Sequence, residues 1–218
     1  MPPSAWVAVA FAAGTVPSPY LVALAARRQD VIAKMRRQDS PGDAHFLVVH
    51  DISKAAGISA IIVDMVKGFV PGLLAVLAQQ STTTVALVGV AAVSGHSFAP
   101  FLRKAGGRGL TTAAGVSLAI IPRAMVGAGV IALIGTATKR GGQGTGVGFG
   151  LLPLFAWLFG YEGGLIWMAG GITGLIVIRR LEGIEEDVRA GVPVARAFVS
   201  RAVFDLPRGK HRLEDTGE

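Results

Sequence analysis

The residues with the clearest chemical potential lie at 95–112, GHSFAPFLRKAGGRGLTT. His96 precedes the basic pair Arg103-Lys104. The turn Gly106-Gly107-Arg108-Gly109 then runs straight into an apolar stretch that starts at Leu110, with Thr111 and Thr112 in its first turn. Glycines let backbone N–H groups converge on an anion, and a helix N-terminus adds partial positive charge. Arg108 can place two parallel bonds on phosphate oxygens, and Arg103 and Lys104 deepen the positive field. The same residues also fit a glycine-rich turn between membrane segments, carrying the positive charges that such turns gather on the cytoplasmic side.

Asp64 and Lys67 form a second group, on one helical face at i,i+3 within an apolar stretch. Ionisable residues inside a span are functional candidates, although a self-neutralising pair near the headgroups would look the same. A third group occupies 36–51, with Arg36, Arg37, Ser40, Asp43, His45, His50 and Asp51. Its spacing matches no zinc signature, and a hydrophilic loop accumulates such residues readily, so no metal is expected there. No nucleophile elbow, P-loop or HExxH occurs. Without cysteine the chain has no disulfide framework and no thiolate chemistry.

These groups must be positioned by membrane helices. Of the 218 residues, 51% are apolar and only 16% charged, and the mean hydropathy is +0.55. A soluble domain carries about 25% charged residues, so a water-soluble enzyme is excluded, as is a disordered chain. The net charge of +7 does not signal nucleic acid, because the aromatics sit in the apolar stretches and the basic residues fall between them.

A spanning helix needs about 20 mostly apolar residues. Residues 4–26 qualify, with Pro17 and Pro19 expected to kink the helix, and no basic leader or cleavage site marks a signal peptide. Further spans are expected at 56–78 and 82–102. Residues 110–138 are interrupted at Pro122-Arg123, which predicts two short tilted helices in a hairpin, and 144–160 and 163–178 complete seven segments. With the N-terminus outside, 19 of the 21 Lys and Arg residues lie in the inner loops 27–54, 103–109 and 139–143 and in the tail beyond 178. That asymmetry supports seven segments with a cytoplasmic C-terminus.

The chain thus divides into a transmembrane unit, 1–178, and a basic, amphipathic cytoplasmic tail, 179–218. Within the tail, 194–204 could lie along the inner leaflet or remain a solvated strand of chain. Gly146/Gly150 and Gly170/Gly174 have the small-xxx-small spacing that allows close helix approach. The glycine run 142–150 superficially fits a dinucleotide fingerprint but lacks the preceding strand, so helix packing is the expected role.

With these motifs in order, the chain resembles the bacterial acyl-phosphate:glycerol-3-phosphate acyltransferases of the PlsY type. Gly14-Thr15-Val16-Pro17 with Tyr20-Leu21 resembles the family opening GSIPxxYL, and Asp64, Lys67, Gly68 and Pro71 resemble its DxxKGxxP helix. Gly95-His96, Phe98 and Gly106-Gly107-Arg108-Gly109 resemble its GHxFP…GGKG motif, and Thr138-Lys139 with Pro153 resemble a later TR…P stretch. Elsewhere the chain departs. Residues 39–47 keep only Ser40 of the family's GSGNxGATN, the following Arg falls at His50, and Arg108 replaces the GGKG lysine. In the C-terminal RHRxNI pattern the His and Asn positions hold Arg180 and Gly183.

The resemblance implies an all-α polytopic membrane enzyme of phospholipid synthesis in the bacterial inner membrane, with its active face cytoplasmic. Its substrates would be acyl phosphate and glycerol 3-phosphate, its surroundings membrane lipids, and its product lysophosphatidic acid, with no cofactor, metal or nucleic acid. Arg36, Ser40, Lys104, Gly106, Gly107, Arg108, Gly109 and Thr111 would bind phosphate, Ser40 and His96 are the catalytic candidates, and Asp64 and Lys67 would support them. Two other classes remain: a non-catalytic paralogue that binds a lipid or phosphorylated ligand, which the altered first motif favours, and a small transporter, which the seven segments and broken hairpin would also serve.

Overall fold

The computed structural model describes residues 1–37, 43–99 and 107–204, and within them all regular structure is helical. The chain opens with α1 (Pro3–Gly14) and α2 (Ser18–Ala25), bent by 52° across Thr15–Pro17. The bend falls where the two prolines forbid a continuous helix. Only α5 (Lys54–Leu77) is by itself long and apolar enough to cross a membrane among the described helices, and α1 and α2 pass the same test together.

The stretch 27–54, expected as a polar loop, is folded. It forms α3 (Gln29–Arg37), α4 (Asp43–Leu47) and a π-helical turn, Val48–Ile52. The apolar side of α3 buries Val31, Ile32 and Met35 with Val48 and Ala23, a small core separate from the main one. Arg28 ties the segment together by donating to both carboxylate oxygens of Asp30 and to the carbonyl of Asp51. That bonding pulls the Asp30 carboxyl down to about 2.

Next come α6 (Thr82–Ser97), α7 (Leu110–Ile120) and α8 (Pro122–Ala137). Residues 110–138 do break into two helices at Ile121-Pro122, and α7 lies chiefly along α5 while α8 lies chiefly along α9 (Gly141–Gly150). The stretch 144–160 is also interrupted, with α10 (Leu152–Leu158) starting again at Pro153. Proline has no N–H for the Phe149 carbonyl, and the Thr173 hydroxyl donates to that carbonyl instead at 2.7 Å. Thr173 belongs to α11 (Gly163–Arg180), so the break in one helix is repaired by its neighbour.

The described part of the tail, up to residue 204, is folded. It forms α12 (Ile184–Arg189) and α13 (Val194–Ala202), which bury Asp187, Ala197, Ser200 and Arg201. Arg201 pairs with Asp187 and donates to the Glu182 carbonyl. The Arg180 guanidinium bonds the Gly142 and Ala202 carbonyls and the Thr145 hydroxyl, which locks α13 against the start of α9.

Only some of the glycines expected to permit tight packing do so, Gly144, Gly146 and Gly148 of the 142–150 run among them. A Cβ at Gly170, Gly174 or Gly150 would meet nothing within 4 Å, and one at Gly146 would meet the Arg180 side chain. Close approaches fall at Gly14 and Gly95, where α1 and α6 meet, at Gly68 and Gly115, where α5 and α7 meet, and at Gly135, Gly144 and Gly148, where α8 and α9 meet. A Cβ at Gly115 would stand 2.0 Å from the Met65 carbonyl oxygen. The interior is correspondingly built from small residues such as Ala10, Ala92, Ala113 and Ala169. Large apolar side chains, among them Leu77, Leu133, Trp157 and Trp167, point outward. Such an exterior is suited to hydrocarbon, where apolar surface carries no penalty.

Candidate active site

The polar centre of the fold is Asp64, buried midway along α5. The Ser18 hydroxyl at the start of α2 donates to its Oδ1 at 2.5 Å, and Lys67 Nζ, one turn along α5, lies 2.7 Å from the same oxygen. Lys67 also donates to the Val16 carbonyl at 2.7 Å, a carbonyl left without a helical partner by the break between α1 and α2. The pair is therefore enclosed between helices. His96, near the end of α6, brings Nδ1 to 3.5 Å from Oδ1, and His45 of α4 brings Nε2 to 2.8 Å from Oδ2. An ionised carboxylate this deeply enclosed is tolerable only with such partners.

The glycine turn closes over this cluster. Gly107 packs against His96 so closely that a Cβ would lie 2.4 Å from Nε2. Gly109 caps α7 with φ +81°, a conformation that only glycine adopts without strain, and its Cα faces the Ser97 hydroxyl. His96 thus joins Asp64 to the turn that was read as an anion cradle. Arg108 sits between the two glycines, half-buried. Arg179 lies over the Phe98 ring at 5.6 Å and pairs with Glu182 at 3.3 Å. A cation next to backbone N–H groups at a helix start is an arrangement that can accept an anion.

Of the residues singled out from sequence, Asp64, Lys67, His96, Gly107 and Gly109 share this neighbourhood, with Arg108 and Thr111 on its turn and first helical turn. Ser40, Lys104 and Gly106, like Arg103, lie outside the described residues. Arg36 is exposed on α3, where its charge acts on the Tyr20 hydroxyl. Sequence reasoning missed three participants: Ser18, His45 and Arg179. Ser18 follows a Pro and Arg179 ends a span, positions with ordinary structural explanations. His45 was visible only as one of several polar residues in a loop.

A body that is all helical among the described residues, with an apolar exterior, small residues inside and a buried charge cluster under a glycine turn, defines an integral membrane protein. Residues 4–189 match the family model described as glycerol-3-phosphate acyltransferase, and the chain belongs to that family. Among curated relatives, the glycerol-3-phosphate acyltransferase of Endomicrobium trichonymphae is 27% identical over 88% of this chain and 96% of its own. That of Geobacter sulfurreducens is 30% identical over 81% and 89%. The solved structure of PlsY, an integral membrane glycerol 3-phosphate acyltransferase in its glycerol 3-phosphate form, superposes with a TM-score of 0.69. It is 25% identical and covers 86% of this chain and 92% of that one.

Proposed function

We infer that this protein is an acyltransferase that moves an acyl group from acyl phosphate to glycerol 3-phosphate, making lysophosphatidic acid for phospholipid synthesis. The observation that carries the reading is the Gly107–Gly109 turn, with Arg108 within it, seated on His96 above Asp64 and Lys67. Both substrates present phosphates, and a guanidinium beside backbone N–H groups suits that chemistry. Relatives across nearly the whole chain carry the same activity in their names.

In the reaction the glycerol hydroxyl oxygen bonds to the acyl carbon while the bond from that carbon to the phosphate oxygen breaks. The electron pair leaves with phosphate, and the hydroxyl proton ends on it. Charge builds on the acyl oxygen and on the departing phosphate, so cations and N–H groups fixed in advance lower the barrier. Arg108 is the principal phosphate contact, with Lys104, Gly106, Gly107, Gly109 and Thr111 around it. Ser40 and Arg36 hold the second phosphate. Asp64 and Lys67 fix His96, and His96 fixes the turn.

The charge asymmetry supports seven membrane segments in the inner membrane, an external N-terminus and a site open to the cytoplasm, where both phosphorylated substrates are made. The tail, 179–218, lies on that same side and no cofactor takes part. The test is purified protein in lipid nanodiscs given palmitoyl phosphate and labelled glycerol 3-phosphate. Lysophosphatidic acid and inorganic phosphate should appear in equal amounts. Folded protein that yields no lysophosphatidic acid overturns the assignment.

A further inference from the structure

Helix α13 carries its polarity the opposite way from a helix on a watery surface. The side that faces the protein holds Ala197, Ser200 and Arg201, all buried, while Val194, Phe198 and Val199 are 63%, 44% and 43% exposed. Arg201 turns inward, pairing with Asp187 and donating to the Glu182 carbonyl. At about 100° per residue, Val194, Ala195, Phe198 and Val199 share one outward arc, and the exposed Arg196 stands at its edge. In water such a helix would hide a charge and show its apolar side chains to solvent. Against hydrocarbon the same arrangement is favourable, because an inward-turned guanidinium finds its partners within the protein.

The place where α13 docks points to the same medium. Its C-terminal end packs on Gly146, where a Cβ would lie 2.6 Å from Arg180 Nη1 and 3.2 Å from the Val203 carbonyl oxygen. Gly146 lies beyond the first turn of α9, about 7.5 Å along the axis from Gly141. It falls inside the apolar segment expected from residue 144. Arg180 fixes this depth by donating to the Ala202 carbonyl at 3.0 Å and to the Gly142 carbonyl at 3.2 Å. Val147, next to the contact on α9, and Ile178, close before Arg180 on α11, are exposed apolar side chains. An amphipathic helix lying in an interface sinks its apolar face about 5–10 Å into the boundary between headgroups and acyl chains. Gly146 stands at that depth below the start of α9.

We propose that α13 is an interfacial anchor, seating Val194, Phe198 and Val199 among the acyl chains of the leaflet on its side of the membrane, with Arg196 at the level of the lipid phosphates. On the topology inferred above, that leaflet is the cytoplasmic one. The occupant of this face is bilayer lipid and not a second protein, because the dock lies beside helices whose own exterior is apolar. The residues that build the anchor lie beyond the family match, which ends at residue 189. The proposal depends on the membrane placement of the chain and not on acyl transfer.

The test uses the full cysteine-free chain with single substitutions Val194→Cys, Arg196→Cys, Phe198→Cys and Val199→Cys, each at an exposed position. Each variant is spin-labelled and placed in nanodiscs of phosphatidylethanolamine and phosphatidylglycerol. Relaxation of the label is compared between dissolved oxygen, which concentrates in hydrocarbon, and a nickel chelate, which stays in water. Oxygen should dominate at 194, 198 and 199, and the balance should shift toward nickel at 196. Dominance of nickel at all four positions would mean a helix held in water and overturns the proposal. Labels shielded from both reagents, or broadened by a neighbouring spin, would mean that protein covers the face, and that result overturns it too. Lysophosphatidic acid synthesis by the wild type is read separately, and its absence removes the acyltransferase reading without touching the anchor.

Discussion

Gly107→Ala isolates the contact between the glycine turn and the buried cluster. The new Cβ would stand 2.4 Å from His96 Nε2. Comfortable contact needs about 3.5 Å, so ring or turn must give by about 1 Å. The ring has nowhere to go, because its other side faces Asp64 with Nδ1 3.5 Å from Oδ1. The turn must therefore lift and carry Arg108 with it. A displacement of about 1 Å at reacting groups costs on the order of a hundredfold in rate. Stability should change little, since the strain falls on a turn and not on a helix contact. Gly107 also does not have the positive φ of Gly109. The assay is initial-rate phosphate release from palmitoyl phosphate with glycerol 3-phosphate, alongside thermal unfolding. A folded Gly107→Ala protein working at the wild-type rate would refute the placement of the turn on His96.

Other perturbations separate phosphate binding, packing and topology. Arg108→Lys should keep part of the activity and Arg108→Ala very little, because a charge-assisted bond contributes roughly 1.5–3 kcal/mol, or about ten- to a hundredfold. Unchanged affinity for glycerol 3-phosphate and acyl phosphate in Arg108→Ala would reduce the loop to a topology signal. Gly115→Ala should destabilise by about 1–3 kcal/mol, since its Cβ meets the Met65 carbonyl, while Gly170→Ala and Gly174→Ala, in open space, should not. Equal melting temperatures for all three would contradict the α5–α7 contact. Cysteines placed at Gln80 and Gly141 in this cysteine-free chain should label from opposite membrane faces, and labelling of both from one face would refute the seven-segment arrangement.

Local physics made much of this protein readable in its sequence. Hydropathy placed it in a membrane, the missing N–H of Pro122 marked the break between α7 and α8, and Gly106-Gly107-Arg108-Gly109 announced a turn into a helix. Asp64 and Lys67 stood out because charge inside an apolar stretch is costly. Tertiary structure alone decided which residues join Asp64. Ser18 and His45 reach it from elements separated from α5 in sequence, and a His in a polar loop looks the same whether it meets solvent or a buried carboxylate. It alone also decided that Gly14, Gly68, Gly95 and Gly115 mark close approaches while Gly170 and Gly174 face open space. The spacing rule cannot separate these sets, because a helix in lipid is apolar on all sides and carries no stripe to show which face meets a neighbour.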